Sequence, residues 1–206
     1  MASNSTPPPQ VFRADRVGGW LVDDKRYYEN AHVLLAELEH AVAEVNGQWP
    51  KSLSDAVQEG ETTQAHWSLA RKRDLLSDSV KVFAAMSVEA FLNFYGVLRI
   101  GQARFDSELE RSGPVLKLKR LFEMCEKVQL QDTDPLVQVV DKIARRRNRL
   151  VHHRVLEVGA DPTQTNRSGD KIPEVAREAV ADMVQFFIEF GKRDPHVSHH
   201  LPSPPT

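Results

Sequence analysis

The sequence predicts an all-α fold, a helical bundle of about five antiparallel helices. Three observations carry that reading. Apolar residues recur at three- and four-residue spacing through most of the chain, Gly, Pro and Asn punctuate the periodic runs, and no run alternates as a strand would. With 206 residues, 41% hydrophobic and 27% charged, the chain fits one globular domain of residues 21–192, with tails at 1–20 and 193–206 expected to be disordered, residues 1–10 being rich in Pro and Ser and 193–206 in Pro, Ser and His.

The first helix is expected from Asp23 or Asp24, either of which can cap it, to about Val45. Its stripe is Tyr28, Ala31, Leu34, Leu35, Leu38, Val42 and Val45. Asn46-Gly47 ends it, Trp49-Pro50 continues the break, and Ser52 to Glu59 form a loop or one short helix. The longest helix then runs from about Thr62 to Ile100 and is apolar almost all round from Val82 to Leu98, which places it at the centre. Glu89 and Asn93 are its polar exceptions, four residues apart and so on one face, which they share with the small residues Ala85 and Gly96.

Gly101 closes this helix, and Phe105 to Glu110 form a turn. Gly113-Pro114 starts a helix to about Val128, with Leu118, Leu121, Phe122 and Cys125 inward and Lys117, Lys119 and Arg120 outward. Asp132 or Asp134 with Pro135 opens a helix extending to Val158. After a polar loop of residues 159–172, Pro173 begins the last helix, whose inner residues are Val175, Ala179, Val180, Met183, Phe186, Phe187 and Phe190.

The helix from Asp134 holds the main functional signal. Between Asp141 and Arg154 lie six Lys or Arg against one Asp, in a chain whose formal charge is only -2. Leu136, Val140, Ile143 and Leu150 form its stripe, and Arg147 stands where the next aliphatic residue is expected. Burying an unpaired cation is costly, so Arg147 calls for a carboxylate, a ligand or a route to a cleft. Glu89 is the expected partner, with Asn93 beside it. That pair either fixes the guanidinium for work on a phosphate or merely sets helix register. Arg145, Arg146 and Arg149 fall elsewhere on the wheel and are expected to be solvated, completing with Arg154 the local basic run.

Arg147-Asn148-Arg149-Leu150-Val151-His152 resembles the signature of the HEPN superfamily, in which Arg, usually followed by a polar residue, precedes His by four to six intervening positions on a late helix. The resemblance implies a HEPN-like helical domain over roughly residues 20–192. It also implies a cytoplasmic, metal-independent endoribonuclease without cofactors, belonging to a toxin-antitoxin pair or an antiphage system, with RNA as substrate and an antitoxin or defence partner protein. Arg147, Asn148 and His152 would be catalytic. A HEPN-like module that binds RNA, a nucleotide or a protein without catalysis is the alternative.

The chemistry is consistent with the residue types. RNA is cut without a metal when its 2'-hydroxyl attacks the adjacent phosphate, which needs proton transfer and cations on the phosphate oxygens. An unperturbed imidazole titrates near neutrality, which suits His152 to acid or base work, and Arg147 suits phosphate. His153 is the rival histidine, and a helix-end packing or capping role is open to His152 as well. On an ideal helix Arg147 and His152 point about 140° apart, so they meet only if the helix distorts or two chains combine, and the resemblance implies a homodimer whose motifs face each other. Arg154 stands where the toxins modified by their antitoxin carry Tyr, which argues against that form of regulation.

Other classes find little support. A lone Cys125 leaves no internal disulfide and no cysteine-built zinc site, consistent with a reducing cytoplasm. The start of the chain lacks the basic and apolar regions of a signal peptide. Lys81, Glu89, Asn93 and Arg99 interrupt the one membrane candidate, Val80 to Ile100. Glycine-rich phosphate loops, His-Glu-x-x-His and nucleophile elbows are missing. His32, Glu37, Glu39 and His40 read as a solvated face, and His196, His199 and His200 as parts of a tail, rather than as metal ligands.

Overall fold

The computed structural model describes residues 10–14, 18–48, 60–151 and 172–202. Among these, six α-helices make a bundle: α1 Asp24–Gln48, α2 Gly60–Ile100, α3 Gln102–Glu108, α4 Pro114–Glu126, α5 Pro135–Val151 and α6 Ile172–Arg193. A 3-10 helix, Pro195–His200, follows. No helix of the described residues is long and apolar enough to cross a membrane.

Two strands precede the helices. β1 Gln10–Ala14 and β2 Gly18–Val22 pair antiparallel with Phe12 opposite Trp20, and β2 touches α2. This corrects the expectation of a tail without strands in residues 1–20. Neither run alternates polar with apolar residues, since Val11 and Phe12 are adjacent, as are Trp20, Leu21 and Val22, and a lone hairpin is marginal without a surface to lie on.

The helix signals act as their chemistry dictates. Asp134 Oδ1 accepts from the Leu136 amide at 2.9 Å, and Pro135 occupies the first turn of α5, where its missing N–H costs nothing. At α4 Pro114 likewise takes the first turn, but Gly113 before it makes no side-chain cap bond. Gly101, at φ +81°, breaks α2 from α3 in a conformation that side chains rarely adopt. The segment expected as a turn at Phe105 is the short helix α3, and it exists because Phe105 buries its ring against Gly96.

α2 is the axis, about 60 Å long at 1.5 Å per residue. α1 runs antiparallel to it, since Ser87 Oγ donates to the Asp24 carbonyl at one end and Lys72 meets Glu44 near the other. α6 runs parallel to α2: Ser77 Oγ donates to the Ile172 carbonyl and Tyr95 to Asp194. The bundle is therefore not antiparallel throughout, because α5 reverses the chain before α6 returns along α2.

The core gathers around Phe91. Its ring meets Phe187 at 5.3 Å and Phe190 at 4.9 Å, both edge-to-face, and Phe186 at 5.9 Å. Such contacts add to the large apolar area these rings remove from water. Most of the expected inner residues of α1 and α6 pack here, but Val45 is buried outside this cluster and Ala176 is buried where Val175 is expected.

The chain after Arg193 also departs from the expected tail. Asp194 and Val197 are buried, Leu201 lies against Gly191, and the His200 ring meets Phe94 at 5.3 Å. Composition alone reads Pro, Ser and His as solvated, yet Asp194 has cationic and phenolic partners to bury against. Arg99 donates to it, and the Tyr95 hydroxyl donates at 2.9 Å.

Candidate functional site

Arg147 sits on the face of α5 that meets α2. Its Nη2 donates to Glu89 Oε2 at 3.1 Å, the partner that the interrupted stripe calls for. Its Nη1 donates to the neighbouring Asn148 Oδ1 at 3.1 Å. The side chains of Arg147 and Glu89 are 37% and 32% exposed, so the pair stands at an opening rather than in the interior. That opening is a narrow cleft lined by Ala85, Val88, Glu89, Pro114, Ile143 and Arg147, with Val140, Ala144 and Asn148 completing the wall. The small residues Ala85 and Ala144 leave the space that larger side chains would fill.

Asn93 is placed differently from expectation. It lies one turn along α2 from Glu89, but its Oδ1 accepts from Lys117 Nζ on α4, not from the Arg147 helix. Lys117, expected on the outer face, is 1% exposed. Its ammonium also reaches the Glu110 carbonyl at 3.4 Å and lies 5.4 Å from the centre of the Phe105 ring. Burial lowers its pKa from the ordinary lysine value, against the opposing pull of Glu89 and Glu110. The signal was present in the spacing. Lys117 follows Pro114 by three and precedes Leu121 by four, the same stripe position that singled out Arg147.

The other arginines of α5 divide by direction. Arg145 points outward, 72% exposed, and pairs with Asp141 one turn back at 2.8 Å. Arg146, expected to be solvated, is only 16% exposed and is engaged by α6: it donates to Asp182 and, at 2.8 Å, to Glu178. Those carboxylates are four residues apart and therefore stacked on one face. Arg149 is exposed. His152, His153 and Arg154 lie outside the described residues, as does the expected continuation of this helix to Val158.

At the far end of α2, Arg99 joins Asp194, Glu126 at 2.6 Å and the Tyr95 hydroxyl at 3.1 Å. Burial and the Asp194 carboxylate both push the Tyr95 phenol up, so it stays a donor. On α1, Glu39 pairs with Arg177 of α6, and His32 packs against the Tyr28 ring at 4.7 Å. Among the described residues no group of three or more His, Cys, Asp or Glu side chains is arranged to hold a metal ion.

Fold and site together define a helical bundle with an arginine-carboxylate pair at the mouth of a cleft. No family model matches the chain, and comparison with curated proteins and with solved structures likewise finds no match.

Proposed function

We propose that this chain is a HEPN-like endoribonuclease that cleaves RNA without a metal, acting as a homodimer and serving as a toxin or antiphage-defence component. The observation that carries the reading is the setting of Arg147. A guanidinium on an otherwise apolar stripe is held by Glu89 at a cleft, beside Asn148, with over a third of its side chain open to solvent. A planar fork fixed on one edge by a carboxylate keeps its remaining N–H groups for a phosphate.

In the proposed reaction the 2'-oxygen forms a bond to phosphorus while the bond from phosphorus to the 5'-oxygen breaks. The two His152 side chains of the proposed dimer divide the proton transfers, one taking the proton of the 2'-hydroxyl and the other supplying one to the leaving 5'-oxygen, and Arg147 balances charge on the phosphate oxygens. The products are a 2',3'-cyclic phosphate and a 5'-hydroxyl. Arg149 and Arg154 remain as RNA contacts, whereas Arg146 is occupied by α6.

That occupation, with Arg145 held by Asp141, leaves less free positive charge than the sequence alone counts, and it favours the second reading, a HEPN-like module that binds without cutting. Incubating a labelled single-stranded RNA in EDTA with the protein and with His152→Ala separates the two. The nuclease reading expects cyclic-phosphate ends from the native protein alone, and light scattering at micromolar concentration should give a dimer. RNA that is bound but never cut selects the second reading, and a monomer that cuts nothing removes the first.

A further inference from the structure

Among the described residues, Lys117 is a buried cation without a carboxylate in contact. Its hydrogen-bond partners, Asn93 Oδ1 and the Glu110 carbonyl, are neutral, so neither cancels its charge. The carboxylates that attract it are Glu89, already bonded to Arg147, and Glu110, on an exposed turn where water screens it. Glu89 and Asn93 occupy successive turns of α2, and Pro114, one turn before Lys117 on α4, lines the same cleft. Glu89 thus touches Arg147 from α5 and lies one helical turn from Asn93, the residue that holds the Lys117 ammonium from α4.

From this arrangement, and given the reading that Arg147 meets an RNA phosphate, we infer that Lys117 is a positioning residue of the cleft. By sharing the Glu89 carboxylate it leaves Arg147 only partly neutralised, and its fixed charge gives the cleft a surplus of positive potential for a phosphodiester. A charge held in a low-dielectric wall acts over a longer range than one in water. Because Lys117 is buried and touches no solvent-borne group, it works through Glu89 and through the field, not by contact with RNA.

The test is binding of a single-stranded RNA methylated at every 2'-oxygen, which cannot be cut, by the full chain and by Lys117→Met, Lys117→Arg and Arg147→Ala, each checked for cooperative unfolding. Lys117→Met should weaken binding about three- to tenfold at low salt, with the difference shrinking as salt rises. Lys117→Arg should restore most of it. Native affinity in Lys117→Met, or equal loss in Met and Arg variants, overturns the inference, the second result because packing and not charge would then be responsible. If Arg147→Ala weakens binding and Lys117→Met does not, only the role of Lys117 fails. If the native chain binds no RNA, the functional reading fails and the inference with it. Should Lys117→Met not fold, Asn93→Ser loosens the ammonium instead, and unchanged binding by that variant would count equally against the inference.

Discussion

Arg146 and Arg147 are neighbours in sequence and are held by different helices: Arg146 by Asp182 and Glu178 on α6, Arg147 by Glu89 on α2. A helix turns about 100° per residue, so adjacent side chains reach different neighbours. The two arginines therefore have different work, and substitutions should separate them.

Arg146→Ala should destabilise the fold by about 1–3 kcal/mol, since it removes charged hydrogen bonds from a largely enclosed site and leaves Asp182 with its partner gone. Arg145→Ala, at an exposed pair, should cost no more than about 0.5 kcal/mol. Urea unfolding of both variants checks the contrast. Equal losses would mean that the fork to α6 contributes nothing.

For Arg147 and Glu89 the half-open setting limits the stability effect. A double-mutant cycle with Arg147→Ala and Glu89→Gln should give a coupling below about 1 kcal/mol, because solvent screens a pair this exposed. RNA cleavage, measured on the same proteins, should fall by orders of magnitude more than stability does.

Asp24 gives a pH dependence. It is 2% exposed at the start of α1, and burial pushes its carboxyl up to about 6 from an ordinary value of 3.8. Between those values the folded chain holds the proton that the unfolded chain releases, so stability from this group falls as pH rises from about 4 to 6 and then stays level. Asp24→Asn should stabilise the protein at pH 7–8 by up to about 3 kcal/mol, and the gain should vanish below about pH 4. Thermal unfolding of both proteins at pH 4 and pH 8 would show it, and a gain equal at both pH values would exclude this cause.

Gly96→Ala tests a close approach. A Cβ there would stand 2.4 Å from Phe105 Cδ2 and 3.2 Å from Leu121 Cδ2. Alanine favours a helix by about 0.5–1 kcal/mol over glycine, but forcing the buried Phe105 ring aside should cost about 1–3 kcal/mol. Denaturation should show a net loss. A gain would mean that α3 shifts freely.

Much of the helical layout could be read from spacing because each helix buries one stripe, and Asp134-Pro135 and Gly113-Pro114 act locally. The partner of Arg147 was legible for the same reason: one cation and one carboxylate each broke an apolar face. Lys117 broke its stripe just as plainly, but lay in a run with Lys119 and Arg120 that resembles a solvated face. Arg146 could not be assigned from α5 alone, since its burial depends on Asp182 and Glu178, more than thirty residues away. The fold of residues after Arg193 was hidden for a similar reason, because Asp194 is enclosed only through Arg99 and Tyr95.

α5 is fastened to α6 near both of its ends. Asp134, which caps α5, also meets Arg193 at 2.9 Å, and Arg146 closes the other end on Asp182 and Glu178. A beam riveted at two points cannot pivot on its support. The two helices should then move as one lever, and their backbone amides should exchange with solvent in step. A rearrangement that carries Arg147 towards a substrate would have to bring α6 along or first break one of the rivets.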